Sequence, residues 1–220
     1  IDASTYPNPH AYPEGKTTGI ATLIEMDKTP FTWEASAYDA PAENDLIVYE
    51  LLMRDFIAAH NYETLMDTLD YLENLGVNAI ELMPVNEFEG NESWGYNPSF
   101  HMALDKYYGT PESFKAVIDE CHKRGIAVIV DVVYNHAFSQ SPLCQLYWDA
   151  SAFKPTVQNP FVNPDAKHDF NVGYDLNHES PALRSFVKQV MEYWLTEYKV
   201  DGFRFDLSKG FTQNNTVGNI

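Results

Sequence analysis

The stretch Thr110–Val133, TPESFKAVIDECHKRGIAVIVDVV, decides the fold. Thr110 ahead of Pro111 is a helix start, because the hydroxyl accepts from an unpartnered first-turn N–H and proline suits the first helical position. Phe114, Val117, Ile118 and Cys121 recur at helical spacing and mark one apolar face. Gly125 supplies the stop. Ile126–Val133 then runs almost continuously apolar, as expected of a strand covered on both faces in a parallel sheet.

The same unit recurs on either side. Leu46–Arg54 is a near-continuous apolar run, expected to be a strand buried on both faces. Asn61 is placed to cap a helix carrying Leu65, Leu69 and Leu72, and Gly76 ends it. Val77–Val85 reads as a second strand, Ser180-Pro181 starts a helix through Leu183, Phe186, Val187, Val190, Trp194 and Leu195, and Val200–Leu207 is a fourth strand. Strands alternating with helices predict an α/β protein with a parallel sheet. A doubly wound sheet would want a Gly-rich phosphate turn after its first strand, and Arg54–His60 contains no glycine. A (β/α)8 TIM barrel, of which the chain supplies about the first four strands, is the better fit.

Residues 46–136 and 180–220 are assigned to the first half of that barrel, with a small domain, 137–179, inserted after strand three. Residues 1–45 read as an N-terminal strap or linker, broken by Pro7, Pro9, Pro13, Pro30 and Pro41 and anchored by Phe31 and Trp33. A short strand at Gly19–Met26 fits within it. Two connections, Asn86–Gly109 and Ala137–Glu179, are long enough to carry function. Both leave the carboxyl ends of strands, where barrels place their chemistry.

The 220 residues hold thirty-two acids against fourteen Lys and Arg, a formal charge of -18. Such a surface repels phosphate backbones and anionic lipid, which argues against nucleic-acid and membrane partners. Aromatics at 14% suit a neutral, ring-shaped ligand but also serve any core. Cys121 falls on a helix face and Cys144 in a loop, with no spacing that implies a bridge.

The chemistry concentrates at strand ends. In Gly202-Phe-Arg-Phe-Asp206, strand alternation places Arg204 and Asp206 on one side and Phe203 and Phe205 on the other. A guanidinium beside a carboxylate favours the ionised acid that a nucleophile needs, and it equally describes a structural ion pair. Trp94-Gly-Tyr-Asn-Pro98 follows strand two, Asp131-Val-Val-Tyr-Asn-His136 ends strand three, and Asp175-Leu-Asn-His178 precedes the exit helix.

These motifs, with Tyr49–Phe56 and Gly76–Pro84, resemble in type and order those of the alpha-amylase family of glycoside hydrolases over Leu46–Lys209. The resemblance implies a (β/α)8 barrel and a retaining hydrolase of α-1,4-linked glucose polymers such as starch or maltodextrin. Asp206 would be the nucleophile, with Arg204 keeping it ionised and aimed. Tyr96 would stack under the sugar, Trp94 would stand beside it, and Asp131 and His136 would bind or brace that site. Lys209 would contact the neighbouring glucose. Asn135, Asp175 and the Gly210 carbonyl resemble a calcium site, for which a metal-free hydrogen-bonded version is the alternative.

The same resemblance places an acid/base Glu after strand five and a third carboxylate after strand seven, both past Ile220. The chain is therefore expected to be a fragment, inactive alone, whose partners are the remainder of the parent chain and an α-glucan. Export to the periplasm or outside the cell goes with that substrate. Two alternatives stand: a glucan-branching or maltosyl-transferring enzyme of the same family, and a non-catalytic glucan-binding module of the same fold.

Overall fold

The computed structural model describes residues 13–16, 26, 28–90 and 92–213. Of the strand expected at Gly19–Met26, only Met26 falls among them, in a bend. A helical turn at Glu43–Asp45 leads to β1 (Val48–Leu51), then α1 (Met53–Phe56), α2 (Tyr62–Met66), α3 (Leu69–Leu75) and β2 (Ala79–Leu82). A hairpin of β3 (Asn86–Phe88) and β4 (Pro98–Leu104) follows, then α4 (Pro111–Lys123) and β5 (Ala127–Val132). The next segment carries β6 (His136–Ala137), α5 (Pro142–Gln145), β7 (Trp148–Asp149), β8 (Lys154–Pro155) and β9 (Tyr174–Asp175). The chain returns through α6 (Pro181–Tyr193), a wide turn at Trp194–Tyr198, β10 (Gly202–Phe205) and a tight turn at Ser208–Phe211.

The order β1-β2-β5-β10, all parallel, is that of the first four strands of a barrel. Caps set the helix boundaries. The Asn61 side chain accepts from Thr64 N–H at 2.9 Å, and Thr110 and Ser113 form a reciprocal capping box before α4. Ser180 accepts from Ala182 N–H at the start of α6. Gly76 closes α3 at φ 84°, a left-handed conformation that a side chain would strain.

Ile80, Leu82, Val128, Val130 and Val132 form the buried sheet face, packed with Leu65, Leu69, Leu72, Phe114, Val117, Ile118 and Trp194. Burying one such side chain stabilises the fold by about 1.5–3 kcal/mol. Strand alternation turns the intervening residues the other way. Register then sets Glu50 opposite Glu81 and Arg204 opposite Asp131 on that second face.

Several expectations are corrected. β1 is the outer strand of this four-stranded part of the barrel, so Ile47 and Val48 are exposed in this chain and burial along it begins at Leu51. The helix from Asn61 breaks in two where the Thr68 hydroxyl donates back to the Leu65 carbonyl at 2.7 Å and competes with the helical ladder. Cys144 lies not in a loop but in α5, where it is buried and free, as Cys121 is in α4.

Candidate active site at the carboxyl ends of the strands

β10 delivers the central pair. Arg204 Nη1 donates to Asp206 Oδ1 at 2.8 Å and to Asp131 Oδ2 at 3.0 Å, so one nitrogen ties the end of β10 to the end of β5. The Tyr96 hydroxyl donates to the same Asp131 oxygen at 2.7 Å. Asp131 is fully buried, whereas the Arg204 and Asp206 side chains are 41% and 23% exposed. The guanidinium therefore spans from a dry acid to a wet one. Directly after Asp206, Leu207 takes φ 40°, ψ 49°, a left-handed conformation costly for a branched residue. Strain of this kind persists only where neighbours enforce it, here as the chain turns from the strand into Ser208–Phe211.

The electrostatics follow from burial. Burial pushes the Asp131 carboxyl up to about 6, and the Tyr96 hydroxyl and Arg204 pull against that rise. Burial works against the charge on Arg204, yet Asp206 and Asp131 hold its pKa above the ordinary value. Burial and the Asp131 hydrogen bond raise the Tyr96 phenol, which stays a donor.

His136 presents Nε2 to the Tyr96 carbonyl at 2.8 Å, and burial lowers its pKa, so the neutral ring donates there. In this arrangement it braces the aromatic turn. Gly95 makes that turn possible: at φ 93° it lies so near Pro84 that a Cβ would fall 2.7 Å from the Pro84 Cβ. Trp94, on the same turn, is 59% exposed.

The structure brings Asp206, Arg204, Asp131, Tyr96 and His136 into one connected set. Lys209 stands apart from that network, with its Nζ 5.4 Å from the centroid of the Phe170 ring. Glu81 was missed by sequence reasoning. Its Oε1 lies 3.8 Å from Arg204 Nε, and burial, then Glu50, raises its carboxyl above the usual range. The available signal was a carboxylate at the alternate position of an otherwise apolar strand, Ala79-Ile-Glu-Leu82.

Asn135 lies against Gly210, and its backbone pairs with Leu176, the neighbour of Asp175. An added Cβ on Gly210 would touch Asn135 Cβ at 2.8 Å, and Leu176 N–H donates to the Asn135 carbonyl. Calcium wants six to eight oxygens. Asn135 Oδ1 is buried and unpartnered, but both Asp175 oxygens face N–H donors: His168 Nε2 at 3.0 Å, Asn163 Nδ2 at 2.7 Å and Lys167 N at 3.2 Å. Both Asp175 oxygens are thus spent on N–H donors, and Asn135 Oδ1 is left as the one unpartnered side-chain oxygen at these three positions, too few for calcium.

A parallel β/α sheet with acids and a guanidinium gathered at its carboxyl ends defines part of a TIM-barrel protein with a carboxylate site. The alpha amylase catalytic domain matches residues 59–172, more than half of the chain, which therefore belongs to that family. A malto-oligosyltrehalose trehalohydrolase of Saccharolobus solfataricus is 32% identical over 97% of this chain and 36% of its own length. The chloroplastic isoamylase SU1 of Zea mays is 31% identical over 88% of this chain and 28% of its own. The chain thus spans about a third of the length of these relatives. Among solved structures, a candidate alpha amylase of Salmonella typhimurium superposes with a TM-score of 0.72 and 31% identity, covering 83% of this chain and 29% of that one.

Proposed function

We propose that this chain supplies the nucleophile half of a retaining glycoside hydrolase acting on α-linked glucose polymers. The observation that carries the reading is Arg204 Nη1, which holds the partly exposed Asp206 carboxylate against the buried Asp131 at the strand ends. Asp206 would attack the anomeric carbon, forming a glycosyl ester as the glycosidic C–O bond breaks, and water would later release the sugar. The leaving oxygen takes a proton from a second carboxylic acid. Asp131 is unsuited to that task, because it is sealed from solvent and its Oδ2 already serves Tyr96 and Arg204. Its role is to position both. The acid is assigned to the Glu that the family resemblance places past Ile220.

Cleavage of α-1,4 bonds in starch or maltodextrin is the first reading. A second, cleavage beside a trehalose end, is favoured by relatives named malto-oligosyltrehalose trehalohydrolase at 27–32% identity over 83–98% of this chain. The test offers the full-length protein soluble starch, pullulan and a malto-oligosyl trehalose, and identifies the sugars released. Starch products with Asp206→Asn inactive support the first reading, and free trehalose supports the second. Turnover by Asp206→Asn at the wild-type rate removes the nucleophile assignment.

A further inference from the structure

The carboxylate of Asp175 is buried, yet no Lys or Arg pairs with it among the described residues. Such a charge is tolerated only when enough hydrogen bonds or a cation replace its lost water. The donors are specific. His168 Nδ1 accepts from Phe170 N–H at 3.1 Å, which fixes the tautomer so that Nε2–H points at Asp175 Oδ1, 3.0 Å away. The other oxygen takes Asn163 Nδ2 and Lys167 N–H. Asn163 Nδ2 also donates to Gln213 Oε1 at 2.7 Å, and Gln213 Nε2 donates to the Leu176 carbonyl at 3.2 Å.

We propose that this His168–Asn163–Lys167 donor set takes the place of a cation at Asp175, and fastens the 137–179 segment to the barrel without calcium. The geometry supports it in three ways. Asp175 sits in β9, paired with His136 of β6, at the base of the segment and next to the end of β5. Gln213 arrives from beyond β10, so the network spans the segment and the end of a barrel strand. His168 and Asp175 are 3% and 0% exposed, which makes the contact an interior one that salt screens little. The His168 ring also lies along Phe170, the ring against which the Lys209 ammonium rests. The network thereby reaches the residue assigned to the neighbouring glucose.

This inference does not depend on the glycosidase reading, and its test needs no substrate. Thermal unfolding of the full-length protein is followed after EDTA treatment and again with millimolar calcium, with calcium binding measured by titration calorimetry. The wild-type melting temperature should not move, and no stoichiometric calcium should bind. A native calcium site saturated a hundredfold above its Kd would instead raise the melting temperature by roughly 2–3 °C for a protein about three times the length of this chain. His168→Ala should lower the melting temperature by several degrees, and His168→Gln, which keeps an N–H donor, should recover part of the loss. If His168→Ala does not fold, the wild-type response to EDTA decides alone. Stabilisation by calcium that Asp175→Asn abolishes overturns the proposal, as does a His168→Ala protein as stable as wild type.

Discussion

Replacing Arg204 with methionine tests how the site is held together. The substitution keeps an unbranched side chain but removes the nitrogen that serves both Asp206 and Asp131. Asp206 is partly exposed, so water replaces much of what it loses. Asp131 is fully buried and keeps only the Tyr96 hydroxyl. Removing one partner of a buried pair costs about 3–5 kcal/mol, and the 41% exposure of Arg204 discounts this to about 2–3 kcal/mol.

The loss should depend on pH with a defined sign. Burial already raises the folded Asp131 carboxyl to about 6, above its value of 3.8 without the protein. The folded state therefore holds the extra proton between these values, and the group's cost to stability grows as pH rises through them. Without Arg204 the folded value climbs further, so the gap between variant and wild type opens as pH rises past 6. Urea unfolding at pH 5 and pH 8, followed by tryptophan fluorescence, measures it. A loss of equal size at both pH values refutes the reasoning. So does an Asp131→Asn background in which Arg204→Met costs as much as it does in wild type.

Gly95→Ala should cost about 1–3 kcal/mol or more in stability, since it puts a Cβ at φ 93° and 2.7 Å from Pro84. It should also lower kcat/KM by displacing Tyr96, and an active variant of wild-type stability would contradict this. Asp105 is fully buried, its Oδ2 has no hydrogen bond and only the Lys106 ammonium 3.8 Å away, and burial pushes its carboxyl up to about 7. Its folded value exceeds the unfolded one, so wild-type stability falls as pH rises from about 4 through 7; Asp105→Asn should be more stable than wild type at pH 8, by about 4 kcal/mol, and lose the advantage at pH 4. Trp94→Ala removes an exposed ring, so stability should change by less than about 0.5 kcal/mol while KM for glucan rises. An unchanged KM would take Trp94 out of the binding surface.

Local rules made the sheet legible. Asn61, Thr110-Pro111 and Ser180-Pro181 announce helix starts because caps act over three residues, and the strands follow as short apolar runs. Strand alternation also put Arg204 and Asp206 on one side, where their hydrogen bond is found. What could not be read depends on distance in the chain. Tyr96 and Asp131 meet across thirty-five positions, and only family motifs linked them beforehand. The connection after β2 folds as a hairpin, β3 and β4, whose register shifts twice at bulges, so strict alternation is absent. The donors to Asp175 come from His168, Asn163 and Lys167, none of which carries a motif, and Gln213 joins from fifty residues beyond Asn163. The Lys209 ammonium stands over the Phe170 ring, a contact that no spacing rule reveals.

The central claim is that the Asp206 carboxylate attacks the sugar. Incubating the full-length protein with a fluorinated α-glucosyl fluoride, which slows breakdown of a glycosyl ester, and mapping the digest by mass spectrometry tests it directly. One sugar adduct on the peptide containing Asp206, absent in Asp206→Asn, is the predicted result. An adduct on any other side chain, or turnover with inversion at the anomeric carbon and no adduct, would contradict it.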